Sequence, residues 1–148
     1  MRIYVAGKFE EKARVRDVMS RLQAAGHEIT HDWTNEDASS YAGDALNQYL
    51  GECADLSYYG VMAADAVLVL DHPRGRGTLV ELGLALAWGK AVFLVENPEN
   101  VPCVFFHLDG VSRYGGIDQA LAAVEDMAGL DQALRDGAEQ AEAFRKSR

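Results

Sequence analysis

The chain lacks most of what would staple it covalently or carry it into a membrane. Its 148 residues include only two cysteines, Cys53 and Cys103, too few and too far apart for a disulfide framework and in keeping with a reducing cytosol. No apolar run approaches the roughly 18–20 residues of a membrane span. GVMAADAVLVL is interrupted by Asp65, and LALAWGKAVFLV by Lys90. Positive charge is scarce, with 14 Lys+Arg against 23 Asp+Glu and a net charge of −9. Such a field repels phosphate polymers, which argues against a general nucleic-acid binder unless basic residues cluster locally. Repeats, low-complexity tracts and linker-like stretches are missing too. The opening MRIYVAG reads as a folded strand and not as a secretory signal. The expectation is one cytoplasmic domain over residues 1–148, and 49% apolar residues suffice for its core.

What is present alternates in period. Residues 2–6 (RIYVA) form a β-rich run ending at Gly7. Val15, Val18, Met19 and Leu22 then recur at helical spacing within a predicted helix over 10–25, stopped by Gly26. A second strand is predicted at 27–33 (HEITHDW), followed by a polar loop at 34–43 long enough to act as a lid. A helix at 44–64 leads into AVLVL at 66–70, then a loop DHPRGRGT at 71–78, a helix at 79–88 closed by Gly89, and a strand AVFLV at 91–95. CVFFHL at 103–108 is the predicted fifth strand, with helices at 117–128 and 131–145 behind it. Uniformly apolar strands alternating with helices predict a mainly parallel five-stranded sheet covered on both faces, in an α/β fold of flavodoxin-like or Rossmann-like type.

In such sheets ligands bind beyond the carboxyl ends of the strands, where strand order reverses. That rule nominates residues 7–10, 34–43 and 71–81. The third segment is the richest: Gly75, Gly77 and Thr78 precede a predicted helix whose first turn carries Glu81. A carboxylate there has two readings, a simple partner of the helix dipole or an ionised nucleophile exposed in a cleft.

The residues IYVAGKF, ADAVLVL and GTLVELGLALAWGKAVFLV resemble the nucleoside 2-deoxyribosyltransferase family and its deoxynucleotide N-hydrolase relatives. The matching positions are Tyr4, Gly7, Asp55, Asp65 and the G-T-x-x-E-L-G element from Gly77 and Thr78 through Glu81, Leu82 and Gly83; the likeness covers roughly residues 2–95. It implies retaining cleavage of the N-glycosidic bond of a 2′-deoxynucleoside or its 5′-monophosphate. Glu81 would attack C1′ and form a covalent glycosyl-enzyme, Asp55 would protonate or hydrogen-bond the leaving base, and Tyr4 would orient Glu81. Asp65 reads as a structural cap. The resemblance also implies a homodimer or larger assembly, with Phe105-Phe106 and Tyr58-Tyr59 as candidate contacts.

One departure bears on the substrate. Where transferases of the family carry an acid six residues before the nucleophile, this chain has Gly75, flanked by Arg74 and Arg76. Arginine donates in a planar fork that suits a phosphate, and Lys8 adds a third cation. A monophosphate substrate and a hydrolase outcome therefore stand beside the nucleoside and transferase readings. Trp33 is placed to stack a base or simply to pack. His27, His31 and Asp32 make a weak metal set, and neither metal nor cofactor is expected. A noncatalytic nucleotide sensor on the same fold is the alternative. A flavin binder would want a longer Ser/Thr-rich loop than Gly7-Lys8-Phe9-Glu10.

Overall fold

A computed structural model describes residues 1–100 and 103–147. Five strands form one sheet: β1 (Arg2–Ala6), β2 (Glu28–Ile29), β3 (Ala66–Leu70), β4 (Ala91–Val95) and β5 (Val111–Tyr114), in the order β2-β1-β3-β4-β5. All four pairings are parallel. The order is the flavodoxin-like one, with the switch point between β1 and β3. Four longer helices connect and close it: α1 (Lys12–Ala24), α2 (Gly43–Ala63), α3 (Arg76–Ala87) and α4 (Ile117–Lys146). Right-handed crossovers place α1 on the opposite face from α2 and α3. Consistently, α2 packs on α3, while Arg21 of α1 pairs with Asp118 of α4 at 2.6 Å.

The core follows from the apolar pattern. Every residue of β3 is buried, as are Ile3 to Ala6 of β1 and Val92 to Val95 of β4. The predicted face of α1 (Val15, Val18, Met19 and Leu22) is buried in full, and Ala120 and Val124 of α4 join the core. Asp65, before β3, accepts from the backbone N–H of Arg2 at 2.8 Å and from its guanidinium at 2.7 Å. It therefore ties β3 to β1. Helix α2 is thinly covered, leaving Leu50, Leu56, Tyr58, Tyr59 and Met62 exposed.

Several boundaries differ from the sequence expectation. Strand β2 is two residues long where seven were predicted, because the chain turns into a short 3-10 segment at Trp33–Asn35, capped by the Asp32 side chain. The stretch CVFFHL is no strand. Val104–His107 is a 3-10 turn that buries Phe106 (3% exposed) and leaves Phe105 out (60%). The fifth strand is instead Val111–Tyr114, entered through a turn at Asp109-Gly110. The two terminal helices are one, since Gly129 lies in a run of good helix formers and does not take positive φ. A lone interior glycine costs about 1 kcal/mol, too little to break such a helix. Finally, α3 begins at Arg76, three residues earlier than predicted. That shift moves Glu81 from the first helical turn to the second.

Candidate active site

The carboxyl ends of β1 and β3 open into a cavity of about 300 Å³. Its walls come from four places: Gly7 to Glu10 after β1, Trp33 and Glu36 after β2, Ser57 on α2, and Arg74 to Thr78 with Glu81 around the start of α3. Of the residues nominated from the sequence, Gly7, Lys8, Trp33, Arg74, Arg76, Gly77, Thr78 and Glu81 all line it. Gly7 is required by packing, because a Cβ there would meet Val15 Cγ2 at 2.6 Å.

At the floor, the hydroxyl of Tyr4 donates to Glu81 Oε1 at 2.5 Å. Tyr4 is fully buried in β1 and reaches across to α3. Burial pushes the Glu81 carboxyl up to about 7, the nearby Glu36 charge adds to this, and the Tyr4 hydrogen bond opposes it. Burial likewise pushes the Tyr4 phenol far above its usual range, reinforced by the Glu81 charge, while Ser57 works the other way. The phenol therefore keeps its proton and donates it to Glu81. The expectation of a first-turn carboxylate kept ionised by the helix dipole is thus corrected. Glu81 sits one turn further in, where desolvation dominates.

The rim is basic. Lys8 is largely covered, with its side chain 14% exposed, and its Nζ lies 3.4 Å from Glu10. Arg74 and Arg76 flank the buried Gly75, and α3 begins there without any side-chain cap, the Arg76 N–H donating to the Arg74 carbonyl at 3.1 Å. Beside them Thr78 is buried and its Oγ1 has no hydrogen-bond partner. His72, a further loop residue, accepts from the Arg74 N–H through Nδ1 at 3.1 Å and so shapes the turn.

The β2 side is rigidly tied. Trp33 Nε1 donates to the Val5 carbonyl at 2.8 Å, and its ring stacks on Phe9 at 6.3 Å between centroids. At 5% exposure Trp33 is mainly wall, whereas Phe9 is half exposed. Arg16 holds Thr34 by both its hydroxyl (2.9 Å) and its carbonyl (2.7 Å), and Lys12 Nζ binds the Glu36 carbonyl. The predicted lid loop is therefore anchored at its start. The Glu36 carboxylate lies 2.9 Å from His31 Nε2.

Asp55 is not brought to the cavity. It is exposed on α2, and the residue of that helix lining the cleft is Ser57, two positions on. Half a helical turn separates the two, which faces them in different directions. Phe9, Glu10, Glu36 and Ser57 are the lining residues that sequence reasoning did not name as site residues. Glu36 lay within a nominated segment, but polar loop residues carry no periodicity to single one out. Among the described residues no group of three or more His, Cys, Asp or Glu is placed to hold a metal.

No protein-family model and no curated protein matches this chain by sequence. Solved structures do match it by shape. A CMP N-glycosidase from Clostridium botulinum, BcmB, aligns at a TM-score of 0.60 and 20% identity, over 84% of this chain and 99% of that one. A 2-deoxyribosyltransferase from the psychrotolerant bacterium Bacillus psychrosaccharolyticus aligns at 0.53 and 17% identity, over 80% and 89%. The fold of this chain is the one those two enzymes share.

Proposed function

We propose that the protein cleaves the N-glycosidic bond of a nucleoside 5′-monophosphate or nucleoside, with a 2-deoxyribose sugar, and that Glu81 is its nucleophile. The observation that carries this reading is the buried Tyr4–Glu81 hydrogen bond, set at the switch point of the sheet and open to the cleft. A carboxylate there can stabilise an oxocarbenium-like C1′ and then capture it, splitting one displacement into two. Tyr4 fixes the attacking carboxylate and counters the burial that would otherwise keep it protonated. The two structural neighbours, a CMP N-glycosidase and a 2-deoxyribosyltransferase, support the same bond type.

The monophosphate is favoured by the rim. An uncapped helix start, two arginines, Lys8 and the unpartnered Thr78 hydroxyl together offer donors to a phosphate in a chain that is otherwise acidic. The exposed apolar residues of α2, with Phe105, are where a second copy would pack in the homo-oligomer that the family resemblance implies.

The test is to incubate the protein with each deoxynucleoside, its 5′-monophosphate and CMP, with and without a second free base. Release of base identifies a hydrolase, and exchange without net release a transferase. Nucleotide binding without either reaction would instead identify a sensor. Full activity in Glu81→Ala would remove Glu81 from the reaction.

A further inference from the structure

Cleaving a glycosidic bond at neutral pH calls for two groups, one at C1′ and one that gives the departing base a proton. The cavity walls carry three carboxyl side chains among the described residues, Glu10, Glu36 and Glu81. Glu10 is the wrong kind: it faces solvent, and a hydrogen bond from its own backbone N–H, with Lys8 adding, holds its carboxyl below the usual range. Helix α2 presents Ser57 to the cleft, and a serine hydroxyl is too weak an acid to protonate a base.

That leaves Glu36. Its side chain is 17% exposed and its backbone carbonyl is tethered by Lys12. It stands across the same cavity from Glu81, close enough for its charge to act on that residue, without sharing a hydrogen bond with it. We infer that Glu36, working as a pair with His31, is the catalytic acid and base of the site, delivering a proton to the leaving nucleobase. The inference rests on the glycosidic reading above.

In the first step the C1′–N bond breaks, its electron pair stays with the base, and the base nitrogen system takes the proton from the Glu36–His31 pair as a Glu81 oxygen bonds to C1′. In the second, water or an incoming base attacks C1′, the pair takes up the nucleophile's proton, and the C1′–O bond to Glu81 breaks. The pair ends as it began. In its net-neutral form it holds one transferable proton, whether written as imidazolium and carboxylate or as imidazole and carboxylic acid. His31 is fixed for this task by Gly60 of α2, where a Cβ would stand 2.8 Å from His31 Cβ.

The experiment measures cleavage of a series of nucleotides of the preferred base carrying electron-withdrawing ring substituents, so that the leaving base becomes progressively more acidic. Glu36→Gln should lose about 10²-fold or more in kcat on the unsubstituted base, and the loss should shrink along the series as the base needs its proton less. Glu36→Asp, which keeps a carboxyl, should be slower throughout yet retain the shallow wild-type dependence. An equal loss across the series in Glu36→Gln, or no loss at all, overturns the assignment and leaves the glycosidic reading intact. Wild-type protein that cleaves no member of the series overturns the glycosidic reading itself, and Glu36 with it.

Discussion

Burying Glu81 against Tyr4 places two demands on one side chain. The carboxylate must be ionised to attack, yet desolvation raises it from 4.5 to about 7. A folded-state value above the unfolded one means that the unfolded chain releases this proton first. The Glu81 contribution therefore lowers stability progressively as pH rises from about 4.5 through 7, by about 3 kcal/mol in all. Glu81→Gln, which keeps the shape and can still accept from Tyr4, should be more stable than wild type at pH 8 by up to that amount. The difference should vanish near pH 4 in urea titrations. The same shift predicts that kcat/KM falls as pH drops below about 7. Tyr4→Phe removes the one influence that pulls Glu81 down, so that limb should move to higher pH. Its kcat should fall about 10–100-fold, the worth of a hydrogen bond to a charged group. Tyr4, Gly7 and Glu81 were singled out by the family resemblance, since position alone left Glu81 as a helix-dipole partner and Tyr4 as a core aromatic. Asp55, nominated by the family resemblance, lies off the covered stripe of α2, which runs through Leu46, Tyr49, Cys53, Ser57 and Gly60 and brings Ser57 to the cleft instead.

At the scale of elements, the site depends on how close α2 comes to β1. Gly60 is the contact: a Cβ there would lie 3.0 Å from the Tyr4 ring and 2.8 Å from His31. Gly60→Ala should destabilise the protein by about 1–3 kcal/mol, as overpacking does, and lower activity by displacing both neighbours. A thermal melt with a parallel activity assay checks this, and an unchanged melt would mean that α2 simply shifts. The apolar strands β3 and β4 and the amphipathic α1 could be read off directly because burial is written into their composition. Strand β5 could not. VSRY is half exposed and hidden behind a more hydrophobic segment, CVFFHL, which packs through Phe106 and, in part, Cys103.

For the whole molecule, the charge distribution is the informative quantity. A net charge of −9 coexists with a cavity rim bearing Lys8, Arg74 and Arg76. The same cavity also carries Glu10, Glu36 and Glu81, so it is a mixed-charge site in a chain whose overall field repels polymers, and the two arginines are the contacts proposed for a single phosphate. Replacing Arg74 and Arg76 together with Ala should raise KM for a 5′-monophosphate about tenfold or more, by loss of charge-assisted hydrogen bonds, and leave the nucleoside unaffected. Added salt should narrow the gap, because these arginines are exposed. Equal losses on nucleoside and monophosphate would place the phosphate elsewhere. The fold class needed only the alternation of periods along the chain, which left the strand order open between the flavodoxin-like and Rossmann-like types until the sheet itself was seen. The presence of Glu36 and Glu81 in one cleft needed three dimensions, since 45 residues separate them.

The most direct test of the central claim is to trap the sugar on the enzyme. Protein mixed with a 2-fluoro-arabinosyl donor, whose fluorine slows both oxocarbenium-like steps, can be acid-quenched, digested and examined by mass spectrometry. A single glycosyl increment should appear on the peptide containing Glu81 and be missing from Glu81→Gln. Turnover with no adduct, or an adduct on any other side chain, would contradict it.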